Sequence, residues 1–187
     1  MRIFAMAASL RKASLNRKLI TAAAKVAEGE GARVDIADFG DFTLPLYNGD
    51  LSFDTPVHPA AHKLAERIAA TDAVMIATPE YNYSIPGALK NAIDWLSRMK
   101  DNPFGQGKPL MLLATSPGSV GGARGLWQTR VPFECIGAYV HPDMFYVPNG
   151  STAIEDDRLV DSKQAEALRR TVSGFLKAAA ALNTREV

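Results

Sequence analysis

Three short segments of the chain combine hydrogen-bonding side chains, glycines and cations in patterns that suit ligand binding. The first reads Ser9-Leu10-Arg11-Lys12-Ala13-Ser14-Leu15-Asn16-Arg17. It joins an apolar run to a helical pattern, so the free N–H groups and dipole of a helix N-terminus meet there, and both favour an anion. Ser9, Ser14 and Asn16 add short polar groups, and the Arg11 guanidinium can grip two phosphate oxygens at once. The segment carries neither the G-x-x-x-x-G-K loop nor the G-x-G-x-x-G fingerprint, so its phosphate chemistry would be of another kind. Read more plainly, the same residues form a capped turn and a solvated basic face.

The second segment reads Thr78-Pro79-Glu80-Tyr81-Asn82-Tyr83-Ser84-Ile85-Pro86-Gly87 and follows another buried run. Two tyrosines flanking an amide can present aromatic faces and backbone polar groups to a planar ring. Pro86 suits the first turn of a helix. The third, Thr115-Ser116-Pro117-Gly118-Ser119-Val120-Gly121-Gly122-Ala123-Arg124, is glycine-rich, which permits positive φ and close backbone approach to a ligand. Half-buried loop aromatics and an ordinary turn are the plainer alternatives.

These segments need a scaffold that brings them to one edge. Ile3–Ala8, Ala73–Ala77 and Leu110–Ala114 are nearly continuous apolar runs, the pattern of parallel strands buried on both faces. A weaker run, Val34–Ala37, and an interrupted one around Ala138–Val147 bring the expected strands to five. Between them, Leu15, Leu19, Ala23 and Val26 recur at helical spacing, as do Leu64, Ile68 and Ala69, and Leu89, Ile93 and Leu96. Ala165, Leu168, Val172, Phe175, Leu176 and Ala179 give the cleanest helical pattern. Strands alternating with helices predict a doubly wound α/β sheet with helices on both faces. Ligands of such sheets bind beyond the carboxyl ends of the strands, where all three segments fall. Phe39–Val57 is too long for a plain connection and is expected to serve a site or an interface. Arg98–Pro109 reads as a solvent-exposed Gly/Pro-rich link.

The 187 residues argue for one domain, taken as 1–187. With 47% hydrophobic and 22% charged residues the chain is an ordinary globular one, which excludes disordered and low-complexity classes. Twenty-one Lys and Arg against 20 Asp and Glu leave a net +1, so no global field for nucleic acid exists. The longest uncharged run, Pro109–Ala123, is too short and too broken by Pro and Gly to span a bilayer. Met1–Ala27 holds six cations and no acid, as a transit peptide would, yet its first residues read as a core strand. A folded segment of a cytoplasmic protein is the expectation. Cys135, the lone cysteine, sits on an apolar helical stretch and is expected in the core. His58 and His62 are four apart, but the residue before a proline leaves helical geometry, so His58 ahead of Pro59 should not share a face with His62. These two and His141 are read as loop or surface histidines, and no metal site is expected.

Taken together, Ser9-x-Arg11-x-x-Ser14-x-Asn16, the block from Pro79-Glu80-Tyr81-Asn82-Tyr83-Ser84 through Pro86-Gly87-x-Leu89-Lys90-Asn91-Ala92-Ile93-Asp94-Trp95, and Ser116-x-Gly118-x-x-Gly121-Gly122 resemble the NADPH-dependent FMN reductases, among them quinone and chromate reductases. The resemblance runs from Met1 to about Asn149. It departs at Ala8, where the family often has Gly. It implies a flavodoxin-like sheet of order 2-1-3-4-5 and a dimer or dimer of dimers. It assigns Ser9, Arg11, Ser14 and Asn16 to the FMN phosphate. Pro79, Glu80, Tyr81, Asn82 and Tyr83 would line the isoalloxazine, with Ser116, Gly118, Gly121 and Gly122 opposite, and Tyr47 and Asn48 would lie near a partner's flavin.

The implied reaction is hydride transfer from NADPH or NADH to FMN, then two-electron delivery to a quinone, a flavin, an azo compound or an oxidised metal ion such as chromate. The cofactor does the chemistry, so no catalytic acid, base or nucleophile is named. Donor and acceptor sharing one open cleft in turn predict ping-pong kinetics. Arg124 and Lys108 are the cations offered to a 2′-phosphate. Leu89, Ile93, Trp95, Leu96, Leu126 and Trp127 give more large apolar side chains than one sheet face needs, so some are candidates for an interface.

The same residues admit three rival readings. A hydrolase elbow at Ala114–Gly118 would need an N–H after Ser116, and Pro117 has none. A receiver domain needs acids after the first strand, and Ala7-Ala8-Ser9 offers none. A flavodoxin-like electron carrier would bind FMN without appreciable NAD(P)H turnover, and it stands as the alternative.

Overall fold

The computed structural model describes residues 1–51 and 57–184. β1 (Arg2–Ala7), β2 (Arg33–Asp38), β3 (Ala73–Ala77) and β4 (Pro109–Thr115) are parallel in the order β2-β1-β3-β4. The fifth position is shared by two short pieces, β5 (Tyr139–Val140) and β6 (Phe145–Val147), which pair in turn with the start and the end of β4. The interrupted Ala138–Val147 run is therefore one edge strand broken at His141-Pro142. Proline cannot donate to a ladder, and a break there blunts an edge that would otherwise be open to pairing. The order is 2-1-3-4-5, the flavodoxin-like arrangement, with its switch point between β1 and β3.

Side chains of β1, β3 and β4 are buried on both faces, as their unbroken apolar runs require. One face packs α2 (Pro59–Ala69), α3 (Gly87–Leu96) and α4 (Ala123–Cys135), through residues such as Leu64, Ile68, Leu89, Ile93 and Phe133. The other packs α1 (Leu15–Gly29) and the long α6 (Ser162–Asn183), through Leu19, Ala23, Leu168, Val172 and Phe175. A short helix, α5 (Gly150–Ala153), and a hairpin of β7 (Ile154–Glu155) and β8 (Arg158–Leu159) lead into α6.

Several expectations are corrected. The Arg98–Pro109 link is not merely a solvent loop, because Phe104 is fully buried and packs edge-on against Phe133 at 5.2 Å. Cys135 is exposed, since α4 turns Leu126, Thr129 and Phe133 inward and leaves the Cys135 face to solvent. His141 is buried, packed edge-on against Phe175 on α6, because the break between β5 and β6 turns it into the core. Leu89, Ile93, Trp95, Leu96 and Leu126 are buried within the chain, which leaves Trp127 as the exposed one of the six.

The acid-free start of the chain finds its acids elsewhere: Arg2 with Asp72, Arg17 with Asp38 and Lys25 with Asp157. The Phe39–Val57 segment, of which residues 52–56 lie outside the described ones, is pinned to α3. Phe39 and Phe42 are buried, and the Pro45 carbonyl accepts from both Asn91 Nδ2 and Trp95 Nε1, at 2.9 and 2.8 Å. His58 caps α2 from outside the helix, its Nδ1 accepting the Ala60 N–H, so it shares no helical face with His62.

Candidate functional site

The carboxyl ends of β1, β3 and β4 bring the three segments together around a cleft of about 120 Å³, lined by Ser9, Arg11, Ser14, Asn16, Pro79, Glu80, Tyr81 and Ser116. Leu15, Thr115 and Pro117 complete its lining. Asn82, Tyr83, Gly118, Gly121 and Gly122 belong to the same loops but do not line this small cleft, which is the phosphate-sized part of the mouth. The strand pairing sets the geometry: the Ala8 N–H reaches across to the Ala77 carbonyl, and the Thr78 N–H to Leu113, so the three strand ends share one level.

Ser14 is the N-cap of α1, its hydroxyl accepting the Arg17 N–H at 3.3 Å. Ser9 Oγ accepts the Arg11 N–H at 3.4 Å, which curls the loop and leaves the Arg11 side chain exposed at the mouth. The first-turn N–H groups of a helix have no intrahelical acceptor and open onto such a mouth. Asn16 behaves differently from a ligand-facing amide. Its Nδ2 donates to the Thr115 carbonyl and its Oδ1 accepts the Thr115 N–H, both at 2.9 Å and buried. It clips α1 to the end of β4. Thr115 in turn donates its hydroxyl to the Val147 carbonyl at 2.8 Å, and the Gly150 N–H bonds the Ser116 carbonyl at 2.8 Å.

The second segment closes into a two-residue hairpin. Tyr81 and Ser84 exchange backbone bonds of 3.1 and 3.0 Å, with Asn82 at φ 52° and Tyr83 at φ 64° between them. Positive φ at both central residues is a type I′ turn, which usually takes Asn-Gly, so a tyrosine in the second place is held there at a cost. The compensation comes from α4. The Glu80 carboxylate is nearly buried, accepts the Gly125 N–H at 2.9 Å, and pairs with Arg124 at 3.1 Å. Arg124 then lies 3.7 Å from the centre of the Tyr83 ring, a close cation–π contact. Glu80 thus caps α4 with its side chain while the residue also lines the cleft.

Gly121 and Gly122 have φ of 67° and 87°. A Cβ on Gly121 would come within 2.7 Å of the Val147–Pro148 backbone, and one on Gly122 within 2.9 Å of the Ala114 Cβ. Both glycines let the third loop pack down onto the sheet. Lys108 lies far from all this, at the amino ends of the strands, beside an open groove of about 790 Å³. Its ammonium donates to the Thr71 carbonyl at 2.5 Å, and burial lowers its pKa. That groove is the larger one, but it holds none of the three segments and lies at the end of the sheet where such folds do not bind.

Sequence reading missed Thr115 and the Glu80–Arg124–Tyr83 arrangement. Thr115 ends a strand, a position that could have flagged it, whereas Glu80 and Arg124 are 44 residues apart with no local signal joining them. For a phosphate-bearing flavin, the donor set fits at one end: a guanidinium, two hydroxyls and a helix N-terminus around a mouth small enough for a phosphate and its tail.

The chain matches the family described as NADPH-dependent FMN reductase over residues 1–152. It is 43% identical over 174 residues to a quinone reductase of Pseudomonas putida, covering 89% of this chain and 88% of that one. It is 34% identical over 178 residues to an NAD(P)H-dependent FMN reductase of Pseudomonas aeruginosa, covering 93% and 92%. Among solved structures, a flavoenzyme NAD(P)H:(acceptor) oxidoreductase from Paracoccus denitrificans superposes with a TM-score of 0.82 at 35% identity, over 96% of this chain and 97% of that one. No helix among the described residues is long and apolar enough to cross a membrane.

Proposed function

The chain belongs to the NADPH-dependent FMN reductase family, and from that premise we propose that it is an FMN-dependent oxidoreductase using NADPH or NADH as donor and quinones as acceptors. Free flavins, azo compounds and oxidised metal ions such as chromate are further acceptors of the reduced flavin's electrons. The observation that carries the reading is the convergence of three strand ends, one of them a phosphate-suited helix N-terminus, on a single cleft at the switch point. FMN, when bound, supplies the hydride and electron chemistry, and the protein supplies grip and orientation.

In this reading Arg11, Ser9, Ser14 and the backbone N–H of Asn16 hold the phosphate, while the Asn16 amide holds the loop in place for them. Pro79, Tyr81, Asn82 and Tyr83, with the backbone of Glu80, form one wall for the ring. Ser116, Gly118, Gly121 and Gly122 form the other, the two last by their backbone. Residues 1–187 act as one FMN-binding domain, in the cytoplasm, self-associated as a dimer or dimer of dimers.

The absorbance spectrum of the purified protein tests this directly. A flavin band that bleaches anaerobically on adding NADPH or NADH and returns on adding a quinone is the expected result. A flavin band that neither donor bleaches would instead make the chain an electron carrier, and no flavin binding would end the reading.

A further inference from the structure

The amino ends of the strands hold an amine that the cleft does not use. Lys108 stands half-buried at the head of β4, where it lines the open groove of about 790 Å³ together with Lys100, Asn102, Gly107, Tyr139 and Asn183. Its Nζ donates to the Thr71 carbonyl at 2.5 Å, and among the described residues it forms no ion pair. Lys25 and Lys90, by contrast, each pair with an aspartate. Asp72, the acid that favours the Lys108 charge, is engaged with Arg2, accepting its backbone N–H at 2.6 Å.

We propose that Lys108 is a site of covalent acylation, its amine taking the acyl group of a small acyl phosphate or acyl thioester that enters the groove. The free amine attacks the acyl carbon, and a C–N bond forms as the C–O or C–S bond breaks. The phosphate or thiolate leaves with the electron pair, and the nitrogen gives up one proton to solvent. Nothing is oxidised or reduced.

Three features of the fold single out this amine. The hydrogen bond to Thr71 fixes a side chain that is otherwise mobile, and a neutral amine donating to that carbonyl turns its lone pair elsewhere. The groove gives the reagent room, and Lys100 on its wall offers a charge to a phosphate, with Asp101 the opposing charge beside it. Burial lowers the pKa of the ammonium, with Asp72 opposing and Arg2 adding to the shift, so more of it is the nucleophilic free base. The product suits the place as well. An amide keeps one N–H for the Thr71 carbonyl and no longer holds a charge partly out of water. The groove lies at the opposite end of the sheet from the cleft, so the inference goes beyond the flavin reading and does not depend on it.

Incubating the folded protein with acetyl phosphate, and separately with acetyl coenzyme A, tests it, with peptide mass spectrometry following each lysine over time. With at least one donor, Lys108 is expected to be acetylated about threefold or more faster than the exposed Lys12, Lys163 and Lys177. The donor that works identifies the reagent class. In urea-unfolded protein the lead should vanish, because it comes from the fold and not from the neighbouring sequence. A rate at Lys108 no higher than at the exposed lysines with both donors overturns the proposal. A lead that persists in urea overturns it too, since burial and the Thr71 contact would then not be its cause.

Discussion

At the Ser9–Asn16 end of the cleft the polar groups are seated on buried structure, whereas at the Tyr81–Tyr83 end they hang from an exposed hairpin. Asn16 and Ser14 are buried, and the Asn16 amide is locked to both backbone groups of Thr115. Tyr81 and Tyr83 are more than half exposed, and the hairpin is held in left-handed geometry by one guanidinium on one ring. A site for a fixed anion gains from preorganised donors, which lose little freedom on binding. A wall that must admit a donor and then an acceptor gains from being adjustable. The contrast predicts that damage at the first end spreads into the fold and damage at the second stays local.

The hardest test removes the clip. Asn16→Ala strands a buried N–H and a buried carbonyl of Thr115, each costing about 1–3 kcal/mol when left unsatisfied. The expected loss is about 2–6 kcal/mol of stability, read by urea unfolding, with FMN binding lost alongside because the loop is no longer seated. A variant as stable as the wild type would mean that the buried clip does not carry the phosphate end, and the contrast would collapse.

The next pair separates the two ends by ligand. Arg11→Ala removes a charge-assisted contact of about 1.5–3 kcal/mol, a 10- to 150-fold loss of FMN affinity, and riboflavin, which lacks the phosphate, should scarcely respond. Tyr83→Gly should weaken FMN and riboflavin alike by about 2- to 10-fold, the worth of one aromatic contact. It should leave the fold within about 1 kcal/mol of the wild type, because Gly relieves the positive φ while the ring contact to Arg124 is lost. Titrations of both flavins against both variants check this, and equal responses to the two substitutions would erase the distinction.

How far the sequence carried these points differs by the range of the interactions. The strands were legible because β1, β3 and β4 are buried on both faces and their apolar runs are unbroken. The three loops were legible because strand ends of a doubly wound sheet are where ligands sit. The division of labour within the loops was not. Asn16 reads as a ligand group in sequence, and its acceptor and donor are on Thr115, 99 residues away. The inward face of α4 was ambiguous because both of its faces carry apolar residues, Leu126 and Phe133 on one and Trp127, Val131 and Cys135 on the other. Periodicity counts apolar positions but cannot say which stripe meets the sheet. His141, ahead of Pro142, reads as a loop residue and is one, yet the break in the edge strand folds it inward.

That buried histidine supplies the smallest test of the contrast. His141 Nε2 has no hydrogen-bond partner, and burial lowers the pKa of the ring below its ordinary 6.5, with Asp143 opposing and Arg130 adding to the shift. The unfolded chain therefore takes up a proton at a higher pH than the folded one, and stability rises with pH across that interval. Stability should be flat above pH 7 and decline as pH falls from about 6.5, before the carboxylates begin to titrate. His141 joins β5 to β6, and β6 holds the Val147 carbonyl that receives the Thr115 hydroxyl, so the decline belongs to the buried end. Urea midpoints between pH 7 and 5.5 should slope in the wild type and in Tyr83→Gly, and flatten in His141→Phe, which keeps the ring contact to Phe175 without the titrating nitrogen. If His141→Phe retains the full slope, the buried ring is not its source, and mild acid would no longer tell the two ends apart.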